Sequence, residues 1–449
     1  MPGTQRSLSI TTSDRKPPLT LKGYAIRLVL TLAAWLILFG GFTFVVDPYH
    51  VSEWSEIPGV NERRTRAHAD GYRVAVGHGL IETEASTVLF GSSRSHDGFP
   101  DEIADWPGGF ENMAMGGTNA FEIANAVALA AENDAIDCAV IGLDLREFGD
   151  YPRADATYWI TPLAGGSRIQ AHIQTSLSLD AFARALQTVI DNVSGGSDTD
   201  WESAYAPENS RERFDTELQK RYRSYLGYAY DPQRTAYVFR GIDALLARGV
   251  QVRIFIHPIH SRIEEARWRA GIDELDLQMR RDLVHLAAQR HPLPSRASCF
   301  PGEALEVWDF AGFPEVAQTG PPSLSGDVIN PWYYEPSHYR PALGLAILAR
   351  MKGEALEPPV AADQFGVRLT PENVEAHWQA VRARRSEWLE NDAWAQWVTE
   401  QYDRMEAAPP PIEERPRFFL NRDDFNSLER RVSRIEARAA ATFGERDPE

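Results

Sequence analysis

From Leu28 to Val46 the chain is apolar and carries no charged residue. At about 1.5 Å per residue a helix over this run reaches roughly 28 Å, close to the thickness of a bilayer core. The run is apolar on every face, unlike a helix that lays one stripe on a protein core. After a mixed stretch over 47–80 the pattern changes to short buried-strand runs alternating with helical ones. Ser86-Thr87-Val88-Leu89-Phe90, Cys138-Ala139-Val140-Ile141, Val250 to Ile256 and Leu305 to Phe310 read as strands. Phe121 to Glu132, Arg234 to Arg248 and Ile263 to Arg290 read as helices, the last as one or two. Strands alternating with helices predict a parallel sheet covered on both faces. In such sheets chemistry gathers beyond the carboxyl ends of the strands.

Residues 151–233 break the alternation. They hold Gly-Gly pairs, Asp/Ser runs and the aromatics Tyr158, Trp159, Trp201 and Tyr205, and read as a partly helical insertion able to cap a site. Glu375 to Glu406 is helical, and its Trp378, Trp388, Trp394 and Trp397 are expected to pack it onto the domain. Pro409-Pro410-Pro411 reads as a stiff linker, and Asp424 to Thr442 as a peripheral amphipathic helix. Residues 1–20 are polar and expected to be disordered, so the chain divides into a cytoplasmic N-terminal tail (1–27), an anchor (28–46), a main extracytoplasmic domain (47–360), a helical extension (361–408) and a C-terminal linker and helix (409–449).

Charge orients the anchor. Arg6, Arg15, Lys16, Lys22 and Arg27 precede it against the single acid Asp14, while Asp47, Glu53 and Glu56 follow it. The positive-inside rule puts the N-terminus in the cytoplasm and the main domain outside. The run ends Phe42-Thr43-Phe44-Val45-Val46-Asp47-Pro48-Tyr49, which offers no small-residue cleavage site and favours an uncleaved anchor over a signal peptide. Over 449 residues the formal net charge is -18, which argues against nucleic acid as a partner. Two cysteines rule out a disulfide framework; Cys138 in an apolar run and Cys299 in a Pro-rich loop are expected to be free thiols.

The sharpest chemical feature is Phe90-Gly91-Ser92-Ser93-Arg94, a strand running into Gly and two Ser. A hydroxyl there stands at the sheet's carboxyl edge beside the N–H groups of a helix start, as a nucleophile requires. Ser is also a good helix N-cap, so the motif alone supports either role. In Glu335-Pro336-Ser337-His338 a carboxylate can reach an imidazole from the same turn and fix its tautomer. Asn112-Met113-Ala114-Met115-Gly116-Gly117 and Gly142-Leu143-Asp144 feed the same edge, either as ordinary turns or as oxyanion donors. His257 and His260 end a strand, but with Pro258 between them and no third ligand nearby they make no metal site. His260 is expected to line the cleft, and His96 is a second candidate base.

In order, strand–Gly-Ser-Ser, a Gly loop, strand–Gly-Leu-Asp and a late carboxylate-x-x-His resemble the SGNH (GDSL-like) hydrolase superfamily over residues 86 to about 350. The chain looks most like its membrane-anchored bacterial branch, which includes the accessory proteins of alginate O-acetylation and teichoic-acid D-alanylation. Phe365-Gly366-Val367-Arg368-Leu369-Thr370-Pro371 is similar to a stretch of that branch. The resemblance implies a three-layer α/β/α fold with a parallel sheet, on one N-terminal transmembrane helix and with a helix-rich C-terminal extension. It implies Ser93 as nucleophile, His338 as general base, Glu335 as its orienting acid, and Gly116 or Gly117 as an oxyanion N–H. Asp144 stands where the superfamily has an oxyanion Asn; an ionised carboxylate would repel the oxyanion unless turned away. Arg94 is expected to neutralise it, making both structural, with an anionic substrate group as Arg94's other possible partner.

Two functions follow as expectations. One is a serine acyl hydrolase or O-acyltransferase outside the bacterial inner membrane, needing no cofactor or metal. It would act on an acylated envelope carbohydrate, with a membrane-bound O-acyltransferase as a possible partner. The other is a degenerate scaffold that binds carbohydrate or that acyltransferase. A metal-dependent phosphate enzyme lacks a ligand cluster.

Overall fold

A computed structural model describes residues 20–51, 56–63, 65, 71–149, 156–165, 168–195, 207–321, 329–356, 365–409 and 420–443. The tail before residue 20, Trp201, Tyr205 and Pro410-Pro411 lie outside the described residues. The described chain is an α/β structure with a mostly parallel six-stranded sheet and fourteen α-helices, one of them apolar and N-terminal.

Helix α1 spans Leu21–Val46, starting ahead of the charge-free run because the Thr20 side chain caps it by accepting the Gly23 N–H at 3.2 Å. Helix α2 (Tyr72–Glu82) leads into β1 (Thr87–Phe90) and the short α3 (Ser93–Gly98). Strand β2 (Phe110–Asn112), α4 (Ala120–Ala130) and β3 (Cys138–Leu143) follow. Asn119 caps α4 by accepting the Phe121 and Glu122 N–H groups. Then come α5 (Arg168–Leu177), α6 (Leu179–Ser194), α7 (Pro207–Tyr225), α8 (Pro232–Leu246) and β4 (Gln251–Ile256). The stretch expected as one or two helices is two, α9 (Ser261–Arg269) and α10 (Asp273–Ala288). Strand β5 (Leu305–Asp309), the hairpin β6 (Tyr333–Glu335) and β7 (His338–Tyr339), α11 (Pro341–Lys352) and β8 (Val367–Leu369) come next. Helices α12 (Val374–Asn391), α13 (Ala393–Ala407) and α14 (Arg422–Phe443) complete the described chain.

The sheet order is β2-β1-β3-β4-β5-β8, parallel except for β8 against β5. Alternate strand residues enter two cores: Val88, Phe90, Ala139, Ile141, Val252 and Ile254 one, Leu89, Val140 and Phe255 the other. Both faces are therefore covered, which is why the central strands read as unbroken apolar runs. The chain leaves β1 toward β2 on one side and returns through β3 toward β5 on the other. That reversal opens a crevice beyond the carboxyl ends of β1 and β3.

Three expectations need correction. Cys138 and Cys299 form a disulfide, with Cα atoms 6.4 Å apart. Cys138 pairs in register with Gln251, whose side chain accepts the Phe300 N–H at 2.9 Å and donates to the Phe300 carbonyl at 2.8 Å. These bonds lay the 299–300 backbone over the start of β3. The bridge closes a loop with a sequence separation of 161, worth about 5 kcal/mol in the chain-entropy account. Second, α14 is not peripheral: Leu428, Val432 and Ile435 join the main core, and buried Arg431 donates to the Pro162, Leu163 and Asn125 carbonyls. Third, the insertion does not act as one cap. Helices α5 and α6 pack on α1, whereas α7 packs on α9 and β6.

The tryptophans of the helical extension divide: Trp378 and Trp388 are buried, and Trp394 is partly exposed. Asp392 ends α12 and caps α13 through the Trp394 and Ala395 N–H groups.

Candidate functional site

Beyond β1 the chain turns at Gly91, where a Cβ would lie 2.1 Å from the Ser95 Oγ, so only glycine lets α3 fold back so tightly. Ser92 occupies the N-cap position but its side chain makes no capping bond. Ser93 opens the helix, and its Oγ lies 2.8 Å from His338 Nε2. Ser93 is thus the serine that faces the imidazole.

His338 and Glu335 are register partners across the β6–β7 hairpin, with Pro336-Ser337 as its turn. Opposed side chains on neighbouring strands meet naturally, and the glutamate arm is long enough to bond His338 Nδ1. The other Glu335 oxygen accepts the Ser337 N–H at 2.7 Å. Burial would raise the Glu335 carboxyl, but His338, Arg221 and the Ser337 N–H outweigh it and hold it below its ordinary value. An ionised Glu335 fixes the proton on Nδ1 and leaves Nε2 to accept from Ser93.

Arg94 ties the parts together. Its Nε donates to the Ser337 carbonyl at 2.9 Å, and its Nη1 pairs with Asp144 at 2.9 Å. Asp144 also pairs with Arg267 and caps the following 3-10 turn by accepting the Arg146 N–H. Burial would raise the Asp144 carboxyl, but the Arg267 and Arg94 guanidiniums hold it well below the usual range. Asp144 is therefore an ionised structural hub, turned from the cleft, and the pairing expected of Arg94 is present. The network continues through Arg267–Asp276 at 3.3 Å, Arg280–Asp276 at 2.7 Å and Arg280–Asp309 at 2.7 Å. It stiffens the carboxyl ends of β3 and β5.

The cleft over Ser93 is narrow, and Gly117, Thr118, Arg146, Glu147 and Ser337 line it with the two serines. Gly117 borders it; Gly116 instead gives its carbonyl to Arg73 at 3.1 Å. Asn112 is structural, donating to the Ser95, His96 and Phe99 carbonyls at the end of α3. At Gly344 a Cβ would lie 1.9 Å from the Gly98 carbonyl oxygen, so glycine lets α11 close on α3.

His260 does not line the cleft. It is buried, caps α9 by accepting the Arg262 N–H at 3.3 Å, and bonds the Thr319 carbonyl at 2.8 Å. His257 is buried too, 2.9 Å from the Tyr339 hydroxyl. His96, the second candidate base, pairs with Asp97 at 2.8 Å. Sequence reasoning missed Glu147, whose only local signal is its place three residues after a capping Asp. Burial, then the Asp144 charge, push its carboxyl up to about 7. Sequence spacing also hid a trio of possible metal ligands, His78, Glu82 and His172, whose donor atoms lie within 4.8 Å of one another.

The buried titratable groups predict the acid stability profile. Burial pushes both His257 and His260 down to about 3. Their stabilisation is complete above about 6.5 and is lost as pH falls through the folded value. Glu147 and Glu264, raised to about 7, act in the opposite sense: they favour the fold below about 4.5 and cease to as pH rises through 7. Asp144 and Asp309, held low, lose their contribution below about 4. Between pH 7 and 4.5 the first two sets oppose each other; below that window the depressed groups dominate. Unfolding free energies from urea titration should be nearly flat from pH 7 to about 4.5, then fall steeply, by about 1.4 kcal/mol per pH unit for each titrating group. A steep loss between pH 7 and 5 would contradict this assignment.

Comparison with family models, with curated proteins and with solved structures finds no match to this chain.

Proposed function

We propose that this chain is a membrane-anchored serine acyl hydrolase or O-acyltransferase of SGNH-like, three-layer architecture. It works outside the bacterial cytoplasmic membrane on an acylated envelope carbohydrate. The observation that carries the reading is the continuous hydrogen-bond path Ser93 Oγ–His338 Nε2, His338 Nδ1–Glu335 at the carboxyl edge of the sheet. The strand order and the reversal between β1 and β3 favour it, because ligands of such sheets bind at that crevice. The disulfide favours an oxidising compartment, and α1 with its basic flank favours an uncleaved anchor.

In this mechanism His338 Nε2 takes the Ser93 proton as Oγ attacks the acyl carbonyl. The new C–O bond gives a tetrahedral oxyanion, held by the backbone N–H groups of Ser93 and Gly117. No side-chain donor comes from the Asp144 position. Collapse breaks the bond to the leaving alcohol, which takes the proton from His338, and leaves an acyl group on Ser93. Water or a sugar hydroxyl, deprotonated by His338, then accepts the acyl group and restores the serine.

The test is labelling of the purified full-length protein by a fluorophosphonate probe. Wild type and Ser92→Ala are expected to label, and Ser93→Ala and His338→Ala are not. A folded wild type that stays unlabelled would sink the enzyme reading. It would leave a scaffold that binds carbohydrate or a membrane-bound O-acyltransferase, which the absent Asn-type oxyanion donor at Asp144 favours.

A further inference from the structure

Helices α5 and α6 are each two-faced. On α6, Ala181, Ala185, Thr188 and Asn192 are buried, and Asn192 bonds the Arg63 backbone at 2.9 Å. A different stripe of the same helix carries Leu186, Ile190 and Val193, which are 47%, 50% and 73% exposed. On α5 the i, i+4 series Ile169, Ile173 and Leu177 is exposed as well. Isolated apolar side chains on a surface need no explanation, but a contiguous patch over two helices does.

The patch continues the surface of α1. Phe182 of α6 packs edge-on against Phe39 at 4.3 Å between ring centres, and against Phe42 at 5.5 Å. Leu177 of α5 closes on Gly40, and Thr43 and Val46 are buried. Helices α5 and α6 therefore clasp the last two turns of the span. The charge-free run is only about 28 Å long, so all of it is needed to cross a hydrocarbon core of about 30 Å. From Leu28 to Leu38, before the clasp begins, the run reaches only about 16 Å. With Arg27 at the inner headgroups, the clasped turns must lie within the outer leaflet, and the helices that clasp them lie there too.

We infer that α5 and α6 form an interfacial hairpin whose exposed apolar stripes are immersed in the outer leaflet of the bilayer. The hairpin lies in the membrane plane, its stripes about 5–10 Å into the headgroup–acyl boundary. It converts a flexible single-helix tether into a two-element mount, and through α1 and the bonds of Arg63 and Thr65 to α6 it fixes the height of the Ser93 cleft above the lipid. The site then serves acyl groups presented close to the membrane rather than those free in solution. This inference rests on α1 being a retained anchor, as proposed above.

Both native cysteines are bonded, so a single introduced cysteine gives one label site. Full-length Ile190→Cys, Gln187→Cys and Leu30→Cys proteins carry an environment-sensitive nitrobenzoxadiazole dye in phosphatidylethanolamine–phosphatidylglycerol vesicles. Nitroxides placed high on the acyl chains should quench the dye at Ile190 and blue-shift its emission, while Gln187 on the polar face stays unquenched in water. Dye at Leu30 should be quenched by nitroxides in the acyl region. Quenching at Leu30 with a water-like signal at Ile190 would overturn the hairpin and leave the anchor standing. No quenching at Leu30 would overturn the anchor itself, and the hairpin with it. A blue-shifted Ile190 label that lipid nitroxides cannot reach would mean a second protein surface covers the stripe, and would overturn lipid as its occupant.

Discussion

Asp144→Ala is expected to unfold the main domain rather than to open its cleft. The carboxylate is fully buried between Arg94 and Arg267, themselves almost wholly buried. Removing one partner of a buried ion pair typically costs about 3–5 kcal/mol, because the remaining charge has no compensation. Here one substitution strips two guanidiniums at once, and one of them also holds the Ser337 turn that carries His338. A domain with about 5–15 kcal/mol of total stability has little margin for that loss. Asp144→Asn should keep the shape and the cap to Arg146 yet still lose the charge, so it should also be severely destabilised. Urea unfolding of both variants would measure this; an Asp144→Ala protein within about 1 kcal/mol of wild type would show that the hub does not bear on the fold.

Glu335→Gln is expected to leave a folded protein whose Ser93 reacts with fluorophosphonate roughly 10³–10⁴-fold more slowly. The amide oxygen can still accept the Ser337 N–H, so the hairpin turn keeps its support. What is lost is the negative charge that holds the Nδ1 proton and, in the proposed mechanism, stabilises the imidazolium formed as Ser93 attacks. Glu335→Asp should also fall, because the shorter arm does not span from β6 to the His338 ring. Second-order labelling rates at fixed pH read both effects. A Glu335→Gln protein that labels at the wild-type rate would remove Glu335 from the catalytic machinery, and Ser93 and His338 would then act as a dyad.

The parts of this site that were legible in the sequence are those whose partners are near in the chain. Glu335 and His338 sit either side of a two-residue turn, so their contact is local. Ser93 follows a buried strand and a glycine, a pattern that by itself points to the carboxyl edge of a sheet. The pairing of Arg94 with Asp144 was open to inference because both sit at the ends of adjacent elements. Glu147 was not, since nothing in its neighbours reveals that burial beside Asp144 raises its carboxyl. The short strands β2 and β8, three residues each, carry no periodicity to read and exist only because β1 and β5 pair with them.

The amino-acid sequence by itself determined the charge-free apolar helix, the four long strands with their alternating helices, and the order of the chemical groups along them. Those follow from local pattern, because burial on both faces of a strand or all round a helix demands unbroken apolar residues. Only the tertiary structure decided which distant groups meet. The Cys138–Cys299 bridge, the Arg267 contact to Asp144, the burial of His260 and the docking of α14 all join residues far apart in the chain. The bridge acts by closing a long loop and the others through burial and pairing in the interior, and both are properties of the folded molecule that no stretch of sequence carries alone.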